Sequence, residues 1–116
     1  RGARGNLPSA LEAYTEAREI HERSGTLQSP ECAVLLMSTG VVLREQGDVD
    51  GAFKAYMESL HIHERTHTLE TSTGGTLLMR IGVIRHMRGD TAGASEAYER
   101  AKRIFACRNE LVSGDG

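Results

Sequence analysis

Gly47-Asp-Val-Asp-Gly-Ala-Phe-Lys-Ala-Tyr-Met-Glu-Ser-Leu-His-Ile62 is flanked on both sides by near copies of itself. Gly5 to Ile20 reads GNLPSALEAYTEAREI, and Gly89 to Ile104 reads GDTAGASEAYERAKRI. The copies start 42 residues apart, at 5, 47 and 89, and a fixed period of this size marks a stacked-repeat architecture. Aligned by that offset, Ala10/Ala52/Ala94, Ala13/Ala55/Ala97, Tyr14/Tyr56/Tyr98, Ala17/Ser59/Ala101 and Ile20/Ile62/Ile104 keep their character. Within a copy they fall at i, i+3, i+4, i+7 and i+10, one narrow face of an α-helix. Small residues let helix axes approach, and one tyrosine per copy supplies bulk. Glu19/Arg23, Glu96/Arg100 and Glu99/Arg103 stand at i, i+4 on the opposite, solvated face.

Between the copies a second segment repeats with the same offset, Leu35-Leu36-Met37-Ser38-Thr39-Gly40-Val41-Val42 returning as Leu77-Leu78-Met79-Arg80-Ile81-Gly82-Val83-Ile84. Ser29-Pro30-Glu31 gives it a cap, a proline in the first turn and a carboxylate at the positive end of the dipole. Gly47 ends it and Asp48 caps the following helix. Gly40 and Gly82 fall mid-helix, where glycine costs about 1 kcal/mol against alanine. The partner helix of the same hairpin is therefore expected to cross there.

The hairpin of Leu36, Gly40 and Leu43, a turn at Gly47, then Ala52, Tyr56 and Ser59 resembles a tetratricopeptide repeat. Leu78, Gly82, Gly89, Ala94, Tyr98 and Ala101 match again. The 42-residue period is longer than the family's usual ~34 and is similar to that of kinesin light chains. The resemblance spans essentially the whole chain. It implies an all-α fold, an α-solenoid of antiparallel helix hairpins in five helices. These are an orphan helix over about 7–23, a hairpin over about 30–66 and a second over about 72–108, forming one domain cut from a longer array. Three features depart from the family pattern: Thr39 stands at a large apolar position, Arg85 at an aromatic one, and no proline closes the repeat after Ile62 or Ile104. With Gly74-Gly75 near its start, the second hairpin is expected to be the looser. Residues 1–5 are expected to be a mobile arm, Leu111 to sit in a link toward another repeat, and neither end to carry a polar capping helix.

The net charge is −2, with acids and bases interspersed, which leaves no footprint for nucleic acid or an anionic membrane. The run Arg85-His86-Met87-Arg88 is too short to change that. No apolar run approaches the ~20 residues of a membrane span. Cys32 and Cys107 lie in different hairpins, form no CxxC, and read as small apolar fillers in a reduced, intracellular, cytoplasmic setting. The sequence opens at Arg1 without a Met, which leaves an organelle open.

By resemblance, the inner groove is lined by the first helix of each hairpin, through Val34, Met37, Val41 and Arg44, then Thr76, Met79, Val83 and His86. Two Met and two Val in register form an adaptable apolar strip for a protein or peptide partner, and Arg44 and His86 stand ready for an acidic residue. The competing reading is that the strip packs on the chain's own helices. The Lys and Asn side chains that clamp a C-terminal carboxylate in some family members are absent from these positions, so chaperone tails are not implied.

His61, His63 and His67 do not place three ligands on one helix face, so they are expected to be solvated histidines near a helix end rather than a metal site. Thr73-Gly74-Gly75-Thr76 lacks the spacing and lysine of a phosphate loop and reads as a loose loop. No catalytic spacing and no cofactor motif is present. The sequence therefore points to a non-catalytic adaptor or scaffold. Its alternative is a structural subunit of a large assembly, self-associating through uncapped ends.

Overall fold

The computed structural model describes the backbone of residues 7–113 and the side chains of residues 11–108. The described residues form five α-helices: α1 (Leu7–Ser24), α2 (Pro30–Glu45), α3 (Val49–Arg65), α4 (Ser72–Met87) and α5 (Thr91–Ser113). Helices α2 and α3 form one antiparallel hairpin, α4 and α5 a second, and each hairpin packs on its neighbour in sequence. The arm at 1–5, the side chains of Ala10 and Leu111, and residues 114–116 lie outside what is described.

The starts of α2 to α5 are each set by a side chain that accepts an otherwise orphaned backbone N–H. Ser29 Oγ accepts from Cys32 N at 3.2 Å, and Asp48 Oδ1 from Gly51 N at 2.9 Å. Thr71 Oγ1 accepts from Gly74 N at 3.1 Å, and Asp90 Oδ1 from Gly93 N at 2.9 Å. Each end within a hairpin is set by a left-handed glycine, Gly47 at φ +91° and Gly89 at φ +86°. Between hairpins the same place is held by Gly25 at φ +73° and by His67 at φ +59°, a residue type that tolerates this region better than most.

These outer turns carry a second lock. His21 Nδ1 lies 2.7 Å from Thr26 Oγ1, and His63 Nδ1 lies 2.7 Å from Thr68 Oγ1. Thr26 N donates to His21 O at 2.8 Å and Thr68 N to His63 O at 2.9 Å, which closes both ends in Schellman form. One period further on, these positions are Phe105 and Glu110, with Asn109 at the left-handed place. Nothing of the lock survives there. Helix α5 accordingly runs to Ser113 rather than ending at about Arg108, and the backbone at Leu111 is helical rather than a link.

The hairpin cores follow the repeat. The Tyr56 ring lies against Gly40, where an added Cβ would sit 2.6 Å from its Cε1, and the Tyr98 ring meets Gly82 in the same way. The main core joins α3, α4 and α5 through Tyr56, Leu60, Leu77, Leu78, Ile81, Ile84 and Ile104. A smaller cluster of Cys32, Ala33, Leu36 and Ile62 closes the first hairpin.

Several expectations change. Thr73-Gly74-Gly75-Thr76 is not a loose loop but the first turns of α4. Gly74 packs against the Leu69 carbonyl, and a Cβ on Gly75 would fall 2.8 Å from Phe105 Cζ. These glycines mark close approach, not slackness. Their repeat counterparts explain the choice: Ala33 and His63 in the first hairpin become Gly75 and Phe105 in the second, a larger ring taking a smaller neighbour. Arg85 replaces an aromatic side chain by stacking on one, its guanidinium 5.5 Å from the Phe53 centroid beside Arg88 at 4.2 Å. Thr39 returns its hydroxyl to Leu35 O at 2.9 Å.

Among the described residues the i, i+4 pairs do not close as ion pairs. Those that close mostly bridge elements: Arg18–Glu58 at 2.8 Å, Arg85–Asp90 at 3.0 Å and Arg88–Asp50 at 3.4 Å. Cys32 is buried as a filler, but Cys107 is exposed.

The two outer helices differ. No side chain of α1 from Leu11 onward is buried, and Ile20 is 55% exposed where Ile62 and Ile104 are 5%. Helix α3 meets the next hairpin through Phe53, Met57 and Leu60. The equivalent positions of α5 are Ser95, Glu99 and Lys102, all exposed. The outer face of α5 is therefore polar, contrary to the expectation of apolar surface at both ends.

Candidate protein-binding groove

Helices α2 and α4 occupy the same place in successive hairpins, and Tyr56 of α3 lies beneath them. Five large apolar side chains are exposed among the described residues, and four of them, Val34, Met79, Val83 and Met87, stand on these two helices. A core helix that needed only to pack would turn such residues inward.

The eight expected groove residues divide. Thr76, Met79 and Val83 line one open concavity of about 390 Å³, together with Arg80 and Phe105. Val34, Met37, Val41 and Arg44 do not line it, and neither does His86, which is exposed near the end of α4. Val34 is exposed, whereas Met37 and Val41 are half-buried and pack on the main core. Half of the α2 strip thus follows the competing reading of self-packing, and the open apolar surface is centred on α4.

Sequence spacing misses Arg80 and Phe105. Arg80 replaces Ser38 of the previous repeat and carries no pattern of its own. Phe105 had a signal, since a large ring replaces His63 at the position whose neighbour shrinks from Ala33 to Gly75.

Tyr56 is wholly buried, and its hydroxyl has no hydrogen-bond partner among the described residues; Arg80 Nε is likewise buried and unpaired. Burial pushes the Tyr56 hydroxyl above its ordinary pKa, against the opposing charges of Arg80 and Arg44. Both guanidinium groups therefore act on this hydroxyl, by charge and as nearby donors, and neither makes a well-formed hydrogen bond to it.

The histidines separate as well. His63 is not solvated: it is 2% exposed, and burial holds its pKa below the ordinary value of 6.5 against the opposing hydrogen bond at Thr68. His61 is exposed, 3.9 Å from Glu64, and His67 is exposed in its turn. Among the described residues no three His, Cys, Asp or Glu side chains gather as a metal site would need.

A chain of antiparallel helix hairpins, stacked in one register with the first helix of each hairpin turned to a common surface, is an α-solenoid. Residues 33–67 match the tetratricopeptide repeat family. The match covers one hairpin of that solenoid, and repeats of this family generally mediate protein–protein interaction. The fold is similar to the crystal structure of BtubC (BKLC) from P. vanneervenii, a kinesin light chain-like solenoid, with TM-score 0.67 and 17% identity. That likeness covers 90% of this chain and 59% of the other, so the chain spans about three-fifths of the solved one. None of the curated proteins compared matches the chain. No described helix is long and apolar enough to cross a membrane.

Proposed function

We propose that the chain is a non-catalytic protein-binding module, an adaptor or scaffold that holds an apolar segment of a partner against α4 and the adjoining edge of α2. The observation that carries this is the clustering of exposed apolar side chains on the two first-in-hairpin helices. Methionine suits the task, because its unbranched thioether adapts to the shape it meets. The concavity at Met79 and Val83 is the anchor point, since binding energy concentrates where one large side chain fills a pocket.

The test is selection of binders from a displayed library of random peptides against the whole chain. Peptides recovered on the native chain are expected to lose binding to Met79→Glu, and more weakly to Met37→Glu, with the helical content of both variants unchanged. Recovered peptides that bind Met79→Glu as well as the native chain would place the site elsewhere.

A second reading, a subunit built permanently into an assembly, is favoured by one observation, the exposed Ile20 on α1. Light scattering over a concentration series separates the two. A single-chain mass throughout supports the free module, and a mass that rises with concentration and falls back on Ile20→Lys supports the built-in subunit.

A further inference from the structure

We propose that the cleft between α1 and the first hairpin binds a linear alkyl carboxylate, with the chain on Leu35, Leu36 and Leu43 and the carboxylate beside Arg65. This site is independent of the groove. Helix α2 presents Val34, Met37 and Val41 to the groove, and Leu35, Leu36 and Leu43 fall on its opposite face.

Two concavities, of about 310 and about 350 Å³, meet in this cleft and share Arg18, Leu36 and Glu58. Along α3 their lining runs through Gly51, Ala55, Glu58, Ile62 and Arg65, one helix face. At 1.5 Å per residue that face is roughly 21 Å long. The Arg18–Glu58 pair, at 2.8 Å, ties the two walls together where the concavities meet.

The repeat shows that this space need not be open. One period further on, Thr15, Arg18 and Thr39 become Met57, Leu60 and Ile81, all of them packed in the main core. Here the same places hold an exposed threonine, a half-exposed arginine and a half-buried threonine. The volume that a thioether, a leucine and an isoleucine fill between α3 and α4 is thus left vacant between α1 and α2. A vacancy over leucine side chains is matched by an apolar group of that size.

The two ends of the cleft differ in chemistry. Leu35, Leu36 and Leu43 line one half, whereas Gln28, His61 and Arg65 join Leu27 and Ile62 in the other. Arg18, Lys54 and Arg65 face a single acid, Glu58, which Arg18 already holds. Among the described residues Arg65 closes no ion pair within 4.0 Å. The lining is therefore locally cationic in a chain of net charge −2. A long furrow, apolar along its length and cationic at one end, fits a molecule with an unbranched chain and one terminal negative charge.

The test is titration of the intact chain with dodecanoate below its micellar limit, by calorimetry and by NMR of the leucine methyl groups. One equivalent is expected to bind, shifting Leu35, Leu36 and Leu43 and the Arg65 Nε–Hε resonance. Decanoate should bind roughly three- to fifteenfold more weakly, because each buried methylene contributes up to about fourfold. Arg65→Gln should weaken dodecanoate severalfold. The variant Thr15→Met, Arg18→Leu, Thr39→Ile, which copies the next junction, should raise the thermal midpoint of the free chain and abolish saturable binding. Should that triple variant lose helical content, Thr39→Ile alone serves, with a weaker effect of the same sign. Met79→Glu should leave dodecanoate binding unchanged. Binding that survives filling of the cleft, or that is lost on Met79→Glu, overturns the site, and binding that ignores Arg65→Gln overturns the place of the carboxylate. No saturable binding of dodecanoate, with selected peptides shifting the same leucine resonances, would give the cleft to a protein partner and overturn the proposal.

Discussion

At the scale of single residues, the two mid-helix glycines decide how close the hairpin helices come. Gly40→Ala gains about 1 kcal/mol of helix propensity but drives a methyl group into the buried Tyr56 ring, which lies 2.6 Å from the new carbon. Overpacking of this kind costs roughly 1–3 kcal/mol. The variant is expected to be less stable than the native chain by chemical denaturation, and Gly82→Ala likewise. The buried His63 gives a pH dependence of known sign. Its folded pKa lies below the ordinary 6.5, so as pH falls through that range the unfolded chain takes up a proton that the folded chain refuses. Stability contributed by the neutral ring is present above about pH 6.5 and is lost on acidification. The thermal midpoint should decline below that pH, and the decline should flatten in His63→Gln. The crossing of helices at Gly40 and Gly82 was legible in the sequence, because an expensive residue recurred at a fixed offset. The role of His21 and His63 was not. Their recurrence was visible, but their partners Thr26 and Thr68 lie across a turn whose geometry spacing alone does not give.

Helices, not single contacts, carry the next level of stability. In α3 and α5 the kept face is covered by the first helix of the same hairpin, whereas among the described residues α1 has no such cover. Ile62→Ala and Ile104→Ala should each cost about 2–5 kcal/mol, as for other buried Ile truncations. Ile20→Ala, at 55% exposure, should stay within roughly 0.5 kcal/mol. Helix α1 is held to the body partly by the Arg18–Glu58 pair, whose side chains are 48% and 50% exposed, and such a pair contributes little. Backbone amides of residues 11–24 are therefore expected to exchange with solvent well before those of α3, as hydrogen exchange would report. Equal protection in α1 and α3 would contradict the packing described here. Helix number and order could be read from periodicity and caps. The length of α5 could not, because its end depends on the loss of a polar lock rather than on any strong stop signal.

The five described helices form a short stack with unlike outer faces, and the open apolar surface on α4 follows from that stacking. The apolar positions of α2 and α4 were legible as a repeat, but the division between open and self-packed residues was not. Met37 and Met79 are equivalent in sequence, yet α2 has a following hairpin to lean on, and Met37 and Val41 pack on the core shared with it. Exposure is a property of neighbours, which one repeat does not contain. The stack should also behave additively. Inserting a tandem second copy of residues 47–88 adds one more interface of the α3–α4 kind, and the thermal unfolding midpoint is expected to rise, as it does when internal units are added to such arrays. The polar residues Ser95, Glu99 and Lys102 give that growth a direction. A further hairpin is welcome between existing units, where Phe53, Met57 and Leu60 or their copies receive it. Laid against α5 it would meet a hydroxyl and two charges in place of a ring, a thioether and a leucine. Elongation of this architecture is therefore one-sided, and fusions or designed extensions should be spliced into its interior rather than stacked behind α5.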